Sequence, residues 1–258
     1  MKLLDREQCK NASDESMDLV PSFRESVFNS SVKDISMDLT ELGIDTVLDD
    51  GVLSELPIAK TVLAVCKTGV AIRERNLVKQ TVAFIQGFNA GNISEEIMKK
   101  YREKLEKNAE FAEDELGRVL ILLDANVDKT KSVILGCLYN TYVKGGISWE
   151  KFCEYSEANR RMFVSDYTLL IKLRNYNLNL TNQDKYKIGR LVALGMVVEK
   201  GSPAANKTHL EKFADGWQRT SGKSGTYGEY LSHNDYQVTS FGEGFIQIVQ
   251  RTIKALRL

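Results

Sequence analysis

Two short segments decide the fold of the C-terminal part of the chain: LVALGMV at residues 191–197 and YQVTSFG at residues 236–242. In the first, a helical spacing of leucines stops at Gly195 and is followed by residues that favour a strand. In the second, alternating residues lead to Thr239, after which an amphipathic pattern continues to Leu258. The sequence therefore predicts a helix, a strand, a long connection, a second strand and a terminal helix.

This arrangement resembles the second half of bacterial winged-helix domains. The resemblance is carried by Leu191-x-x-Leu194-Gly195 and by Tyr236-x-Val238-Thr239-x-x-Gly242, within residues 176–258. It implies that the first helix is a recognition helix that contacts duplex DNA, and its polar residues are Gln183, Lys185, Lys187 and Arg190. Other winged helices bind proteins or dimerise, so the resemblance implies a fold rather than one activity.

The connection between the two strands, residues 201–234, is much longer than a normal wing. We expect it to be an insertion that carries the partner-binding surface, because Trp and Tyr beside cations dominate binding hot spots. The alternative is that its aromatic rings pack onto the helical domain and only fix the loop. The candidate binding residues in this insertion are Lys207, Trp217, Arg219, Lys223, Tyr227 and Tyr230.

The preceding part of the chain reads as helices, because apolar residues recur at spacings of three and four and only three prolines occur. We expect a mobile N-terminal segment at 1–20 and a domain of packed helix hairpins at 21–175. The pattern I-S-x-E-x-Φ-x-x-Y occurs at 93–101 and again at 147–155. Ser94 and Ser148 can cap the helices that follow, so the match reflects either ordinary helix-start chemistry or an internal duplication.

Residues 51–75 carry the pattern G-V-L-x-x-L-P-I-x-x-T-V-x-x-x-x-K-T-G-x-x-I-R-x-R. Together with the helices up to residue 150, this stretch resembles uncharacterised helical proteins of bacteria and their mobile elements. The resemblance implies a bacterial or phage setting, including anti-phage defence. It supplies no activity and no catalytic residue.

Residues 52–80 also form an amphipathic pattern. Lys60, Lys67 and Glu74 recur every seven residues and form one polar stripe beside apolar positions such as Val62. Arg73 and Arg75 make the C-terminal end basic, as in helices that lie on anionic membranes. The simpler interpretation is a core helix with one solvated stripe.

The composition excludes several classes of protein. The chain has 258 residues, 35 basic and 35 acidic side chains, and 43% hydrophobic residues, which argues against a nucleic-acid-coating protein, a disordered acidic chaperone or a disulfide-built secreted domain. Charge is unevenly distributed, because residues 1–50 carry 5 basic and 12 acidic side chains whereas the last 108 residues have a net charge of +6. Four cysteines without a C-x-x-C pair, and no signal peptide or membrane span, predict a cytoplasmic protein with structural thiols.

The motifs that could carry chemistry are incomplete. Asp124, Asn126 and Asp128 begin like a calcium loop, but the sixth position is Lys129 instead of glycine, so a helix-capping turn is favoured. His209 and His233 lack partners at a zinc spacing, and the Gly-Lys-Ser at 222–224 lacks the rest of a phosphate loop. We therefore predict no metal site, no cofactor and no catalytic residue.

The sequence predicts a mainly α protein with a helical N-terminal domain and a small winged-helix-like α+β C-terminal domain. We expect a non-enzymatic interaction or regulatory module that acts through a protein partner or a homo-oligomer, with duplex DNA as a further candidate partner. The alternative is an effector that exposes helix 52–80 to a membrane surface. An enzyme is disfavoured because no convincing grouping of His, Cys or carboxylates occurs.

Overall fold

The structure, a computed structural model, describes residues 19–28, 56–64, 72–175, 184–200 and 236–255. The described residues are mainly helical, as predicted, with one pair of short strands. The chain divides into two compact units, Met1–Arg161 and Met162–Leu258. Sequence placed the boundary near residue 176, whereas in the structure residues 162–175 belong to the second unit, because the helix there packs on the later helices and on a strand.

The described residues of the first unit are mainly helical. In chain order they are α1 (19–28), α2 (Pro57–Ala64), α3 (Ile72–Asn89), α4 (Glu95–Lys107), α5 (Ala109–Ala112), a π-helical turn (Glu113–Gly117), α6 (Arg118–Asp124), α7 (Lys129–Val143) and α8 (Trp149–Arg161). The helical stretch that begins at Glu95 is interrupted at Asn108. There the backbone is extended, and Asn108 Oδ1 caps the next helix by accepting the Phe111 N–H at 3.0 Å.

Helices α3 and α7 form the centre of the first unit, and their backbones approach closely at two glycines. A Cβ atom added at Gly87 would lie 1.9 Å from the Val133 carbonyl oxygen, and one added at Gly136 would lie 2.1 Å from that of Phe84. Only glycine fits where two backbones meet in this way. Large rings that line this contact, including Phe84, Phe88 and Tyr139, are fully buried.

A buried polar network holds the turn between α6 and α7. Ser132 Oγ donates to Gln80 Oε1 at 2.7 Å and accepts from the Asn126 amide at 2.9 Å, while the Gln80 amide donates to the Val127 carbonyl at 3.0 Å. Asp128 Oδ1 accepts the Thr130 N–H at 2.9 Å and so caps α7. The segment expected to be a capping turn is therefore one, which confirms that prediction.

The two predicted serine caps are present. Ser94 Oγ accepts the Ile97 N–H at 3.4 Å at the start of α4, and Ser148 Oγ accepts the Lys151 N–H at 3.1 Å at the start of α8. Each capped helix has 13 residues. The shared pattern thus begins two equivalent helices.

Helix α2 packs with its apolar side in the core of the first unit. Ile58 is fully buried and Val62 is 5% exposed, while Lys60 faces solvent. The Ile58 N–H donates to Ser26 Oγ at 3.0 Å, which ties α2 to α1. The burial of α2 agrees with a core helix, but of the predicted polar stripe only Lys60 is exposed, since Glu74 is half-buried and Lys67 lies outside the described residues. Among the described residues no helix is long and apolar enough to cross a bilayer.

The second unit contains α9 (Val164–Arg174), α10 (Lys185–Ala193), β1 (Val197–Glu199), β2 (Tyr236–Val238) and α11 (Ser240–Ala255). The strands pair antiparallel, with Val197 opposite Val238 and Glu199 opposite Tyr236. This confirms the predicted pairing of these strands. The residues expected to form the insertion, 201–234, lie outside the described residues.

The motif residues of the second unit have direct structural roles. Gly195 ends α10 with a φ of +71°, a conformation that favours glycine. Thr239 Oγ1 donates to the Gly195 carbonyl at 2.6 Å and accepts the Gly242 N–H at 3.0 Å, so it joins the end of α10 to the start of α11. A Cβ at Gly242 would lie 2.3 Å from the Met196 carbonyl oxygen, which explains the glycine at that position.

Candidate interaction surface of the second unit

Helix α10 buries one side and exposes the other. Ile188 and Leu191 are buried in the second unit. The exposed positions lie within one arc of the helix, given a rotation of about 100° per residue. They are Lys185, Tyr186, Gly189, Val192 and Ala193. This face therefore presents a single cation among small and apolar residues.

Arg190, predicted to lie on the recognition helix, binds a carboxylate inside the unit. Its Nε and Nη2 donate to the two carboxylate oxygens of Asp166 at 2.7 and 2.6 Å. Asp166 is fully buried and also accepts the Phe163 N–H at 2.7 Å at the start of α9. This pairing raises the pKa of Arg190. Arg190 therefore joins α10 to α9 with a bidentate bond, and its guanidinium edge is occupied.

Two exposed aromatic rings flank this guanidinium. The Arg190 Cζ atom lies 4.5 Å from the centroid of the Phe163 ring and 5.7 Å from that of Tyr186. The two aromatic residues are 60% and 62% exposed, respectively. We call these three residues, Phe163, Tyr186 and Arg190, the aromatic clamp. Rings held over an immobilised cation present a large, rigid contact area to a partner.

The other two predicted cations of α10, Lys187 and Lys185, differ in exposure. Lys187 Nζ lies 3.4 Å from Asp184 Oδ1, and both side chains are mostly buried. Lys185 is exposed at the start of the helix. Of the three predicted cations on the described part of α10, Lys185 is exposed, whereas Lys187 and Arg190 are half-buried.

The remaining predicted partner-binding residues fall outside the described part of the chain. They are Gln183 and the six insertion residues Lys207, Trp217, Arg219, Lys223, Tyr227 and Tyr230. The candidate residues of the membrane alternative lie in the first unit, where Arg73 and Arg75 are exposed and Val62 is in the core. Lys67 lies outside the described residues.

A cluster of polar side chains with one buried carboxyl group lies in the first unit. Glu115, in the π-helical turn, accepts hydrogen bonds from the hydroxyls of Tyr101 and Tyr142, and the hydroxyls of Tyr101 and Tyr139 are 3.0 Å apart. Burial raises the pKa of Glu115, although the two hydroxyls and Lys104 oppose the shift. Burial also raises the pKa values of these tyrosines. The cluster ties α4, α7 and the π-helical turn together.

Glu115 makes stability depend on pH. Because its pKa is raised above the ordinary 4.5, the folded chain holds a proton that the unfolded chain has released, so the free energy of unfolding falls as pH rises from 4.5 through the folded pKa. We expect Glu115→Gln, which stays neutral, to show a shallower fall in urea titrations over this range. Glu113→Gln, at an exposed position of the same turn, is the matched control and should retain the wild-type slope. An unchanged slope in Glu115→Gln contradicts the assignment.

Among the described residues, no group of three or more His, Cys, Asp or Glu side chains could hold a metal ion. Comparisons with protein-family models, curated proteins and solved structures found no match. The role of the exposed surface of the second unit is therefore inferred from the residues that form it.

The sequence analysis did not single out Phe163, Asp166 or Glu115. Asp166 accepts the Phe163 N–H at the start of α9, but phenylalanine is not an N-cap residue type, so the pair lacks the usual sequence signal for a helix start. Glu115 belongs to an acidic stretch, EFAEDELG at 110–117, that looks solvent-exposed. Nothing in that stretch distinguishes the one carboxyl group that is buried.

Proposed function

We propose that the protein is a non-enzymatic interaction module that binds a protein partner through the aromatic clamp of its second unit. The observation that carries this proposal is the exposure of Phe163 and Tyr186, whose rings both lie close to an Arg190 side chain that is already paired with Asp166. Aromatic residues and arginine are the residue types that contribute most to protein interfaces.

The surface chemistry favours protein over duplex DNA. Binding to a phosphate backbone requires several cations that can exchange their counterions for phosphates. On α10, Arg190 is bound to Asp166 and Lys187 lies beside Asp184. The exposed arc offers Lys185 together with Gly189 and Val192. The exposed arc of α10 therefore matches the apolar side chains of a protein better than the phosphate backbone of DNA.

Charge indicates what kind of protein segment fits. The described part of the second unit carries eight basic and four acidic side chains. A partner with acidic side chains would therefore approach favourably, and its apolar side chains would contact the rings. The proposed partner is an acidic segment with aromatic or aliphatic anchors.

Fluorescence anisotropy on the full chain tests this proposal. The probe is a labelled peptide in which Asp alternates with Phe and Leu, and the comparison peptide has Lys in place of Asp. We expect the acidic peptide to bind more tightly, and Phe163→Ser and Tyr186→Ser each to weaken its binding about tenfold. The matched control is Val127→Ser, which removes an apolar residue that is 89% exposed in the first unit.

Labelled duplex DNA is titrated in parallel at low and moderate salt. Tighter binding of DNA than of the acidic peptide, with a steep salt dependence that Lys185→Ala reduces, would show that nucleic acid is the ligand. Peptide binding that is equal in wild type, Phe163→Ser and Tyr186→Ser would also overturn the proposal. Retained affinity in Val127→Ser shows that the loss is specific to the clamp.

A further inference from the structure

The first unit contains a cavity of about 410 Å³ that opens to solvent. Residues from α1, α2, α3 and α6 line it, and most of its walls are apolar, with Val62, Leu77, Leu120 and Ile121 as the main contributors. Ligand pockets in proteins typically measure about 300–1,000 Å³ and combine apolar walls with a few polar groups. This cavity has that size and that composition.

One carboxyl group in the cavity lining has an oxygen atom without a hydrogen-bond partner. Glu74 lines the cavity, and its Oε2 atom is buried without a hydrogen bond to any group in the described part of the chain. A buried carboxyl oxygen without a donor is energetically costly, so it is a rare feature in folded proteins. A donor supplied by a bound molecule removes this cost.

The neighbouring charges are already paired with each other. Arg73 Nε and Nη2 donate to the two carboxylate oxygens of Asp124 at 2.9 and 2.5 Å at the same cavity. This bidentate pair uses the Arg73 fork and cancels its charge against that of Asp124. Glu74 is the remaining acidic group in the lining, so the cavity favours a cation over an anion.

We propose that this cavity binds a small apolar molecule that carries one protonated amine. The ammonium group pairs with the Glu74 carboxyl group, whose side chain turns toward the cavity to meet it, and the apolar body lies against Val62, Leu77 and Leu120. Ile121, which is 72% exposed, stands at the opening. The site lies wholly in the first unit, so this inference does not rest on the proposed protein interaction of the second.

Isothermal titration calorimetry on the full chain with three related probes tests this site. The probes are phenylbutylamine, phenylbutanol and phenylbutyrate, which share an apolar body and differ in their polar end. We expect the amine to bind at least about tenfold more tightly than the alcohol, because a charge-assisted hydrogen bond contributes more than a neutral one. The carboxylate should bind more weakly than the alcohol, because it is repelled by Glu74.

Variants identify the group responsible. Glu74→Gln should reduce the affinity for the amine to near that for the alcohol, whereas Glu110→Gln, at an exposed position on α5, should leave all three affinities unchanged. Ile121→Trp changes an exposed residue at the opening, so folding should be preserved while binding of both the amine and the alcohol weakens. Circular dichroism confirms that each variant is folded.

The proposal is overturned by any of three results. The first is no saturable binding of the amine by wild type. The second is equal affinity of wild type for the amine and the alcohol. The third is an amine affinity that Glu74→Gln does not change. Loss of amine binding in Phe163→Ser, with Glu74→Gln unaffected, would assign the amine to the aromatic clamp instead.

Discussion

Replacing Gly136 with alanine is expected to lower the free energy of unfolding by about 3 kcal/mol, and the thermal midpoint by about 10 °C, because the added methyl group meets backbone rather than a movable side chain. The new Cβ would lie 2.1 Å from the Phe84 carbonyl oxygen and 2.6 Å from the Phe88 nitrogen. To relieve this steric clash, α3 and α7 have to move apart. That separation would loosen the rings packed around the contact.

The size of this effect follows from the balance of two terms. Alanine favours a helix over glycine by about 1 kcal/mol, so the substitution would be stabilising at an uncrowded position. At Gly136 the steric cost outweighs this gain, since the backbone of α3 cannot rotate away. Gly87→Ala should behave in the same way, because its Cβ would lie 1.9 Å from the Val133 carbonyl oxygen.

Calorimetry and urea denaturation measure the effect, and Gly117→Ala is the control. Gly117 also lies in a helical segment of the first unit, but the nearest atom to an added Cβ there is Glu113 Oε1 at 3.7 Å. We expect Gly117→Ala to be neutral or stabilising. A Gly136→Ala protein as stable as wild type would mean that α3 and α7 are not in backbone contact.

Replacing Asp166 with alanine should destabilise the second unit by about 3 kcal/mol, because removing one member of a buried ion pair leaves the other without its partner. Asp166 is fully buried and accepts three hydrogen bonds, two from Arg190 and one from the Phe163 N–H. Arg190 retains some contact with solvent, so we expect the lower part of the usual range. The start of α9 also loses its acidic N-terminal side chain.

A double-mutant cycle separates the ion pair from the other roles of Asp166. Arg190→Met combined with Asp166→Ala should be more stable than the sum of the single losses predicts, because no unpaired guanidinium remains. Glu106→Ala, which breaks an exposed pair with Arg102, is the matched control and should change stability little. Equal small losses in Asp166→Ala and Glu106→Ala would contradict the structural role of the buried pair.

The elements of the second unit were predictable because their signals are local. Gly195 stops a helix, Thr239 starts one, and residues 197–199 and 236–238 favour strands, so these elements follow from the sequence without knowledge of the packing. The same holds for the serine caps of α4 and α8 in the first unit. Helix caps and turns can be predicted from sequence when the residues that form their hydrogen bonds are close together in the chain.

The contacts between distant elements were not predictable in this way. The contact between Gly136 and Phe84 exists because α3 and α7 pair at a particular angle. Helical periodicity does not specify which helices pair or at what angle. Arg190 looked like a phosphate contact because its partner, Asp166, lies 24 residues away. Glu74 was assigned to a solvated stripe for the same reason, since the walls of its cavity come from four separate helices.

The pairing of Glu199 with Tyr236 has an evolutionary consequence. Residues opposite each other on antiparallel strands have Cα atoms only about 5 Å apart, so the end of β1 and the start of β2 lie at nearly the same point. Doubling the length of a connection between fixed ends costs only about 0.6 kcal/mol. Selection can therefore lengthen, shorten or exchange residues 200–235 as a cassette while α9, α10 and α11 stay unchanged.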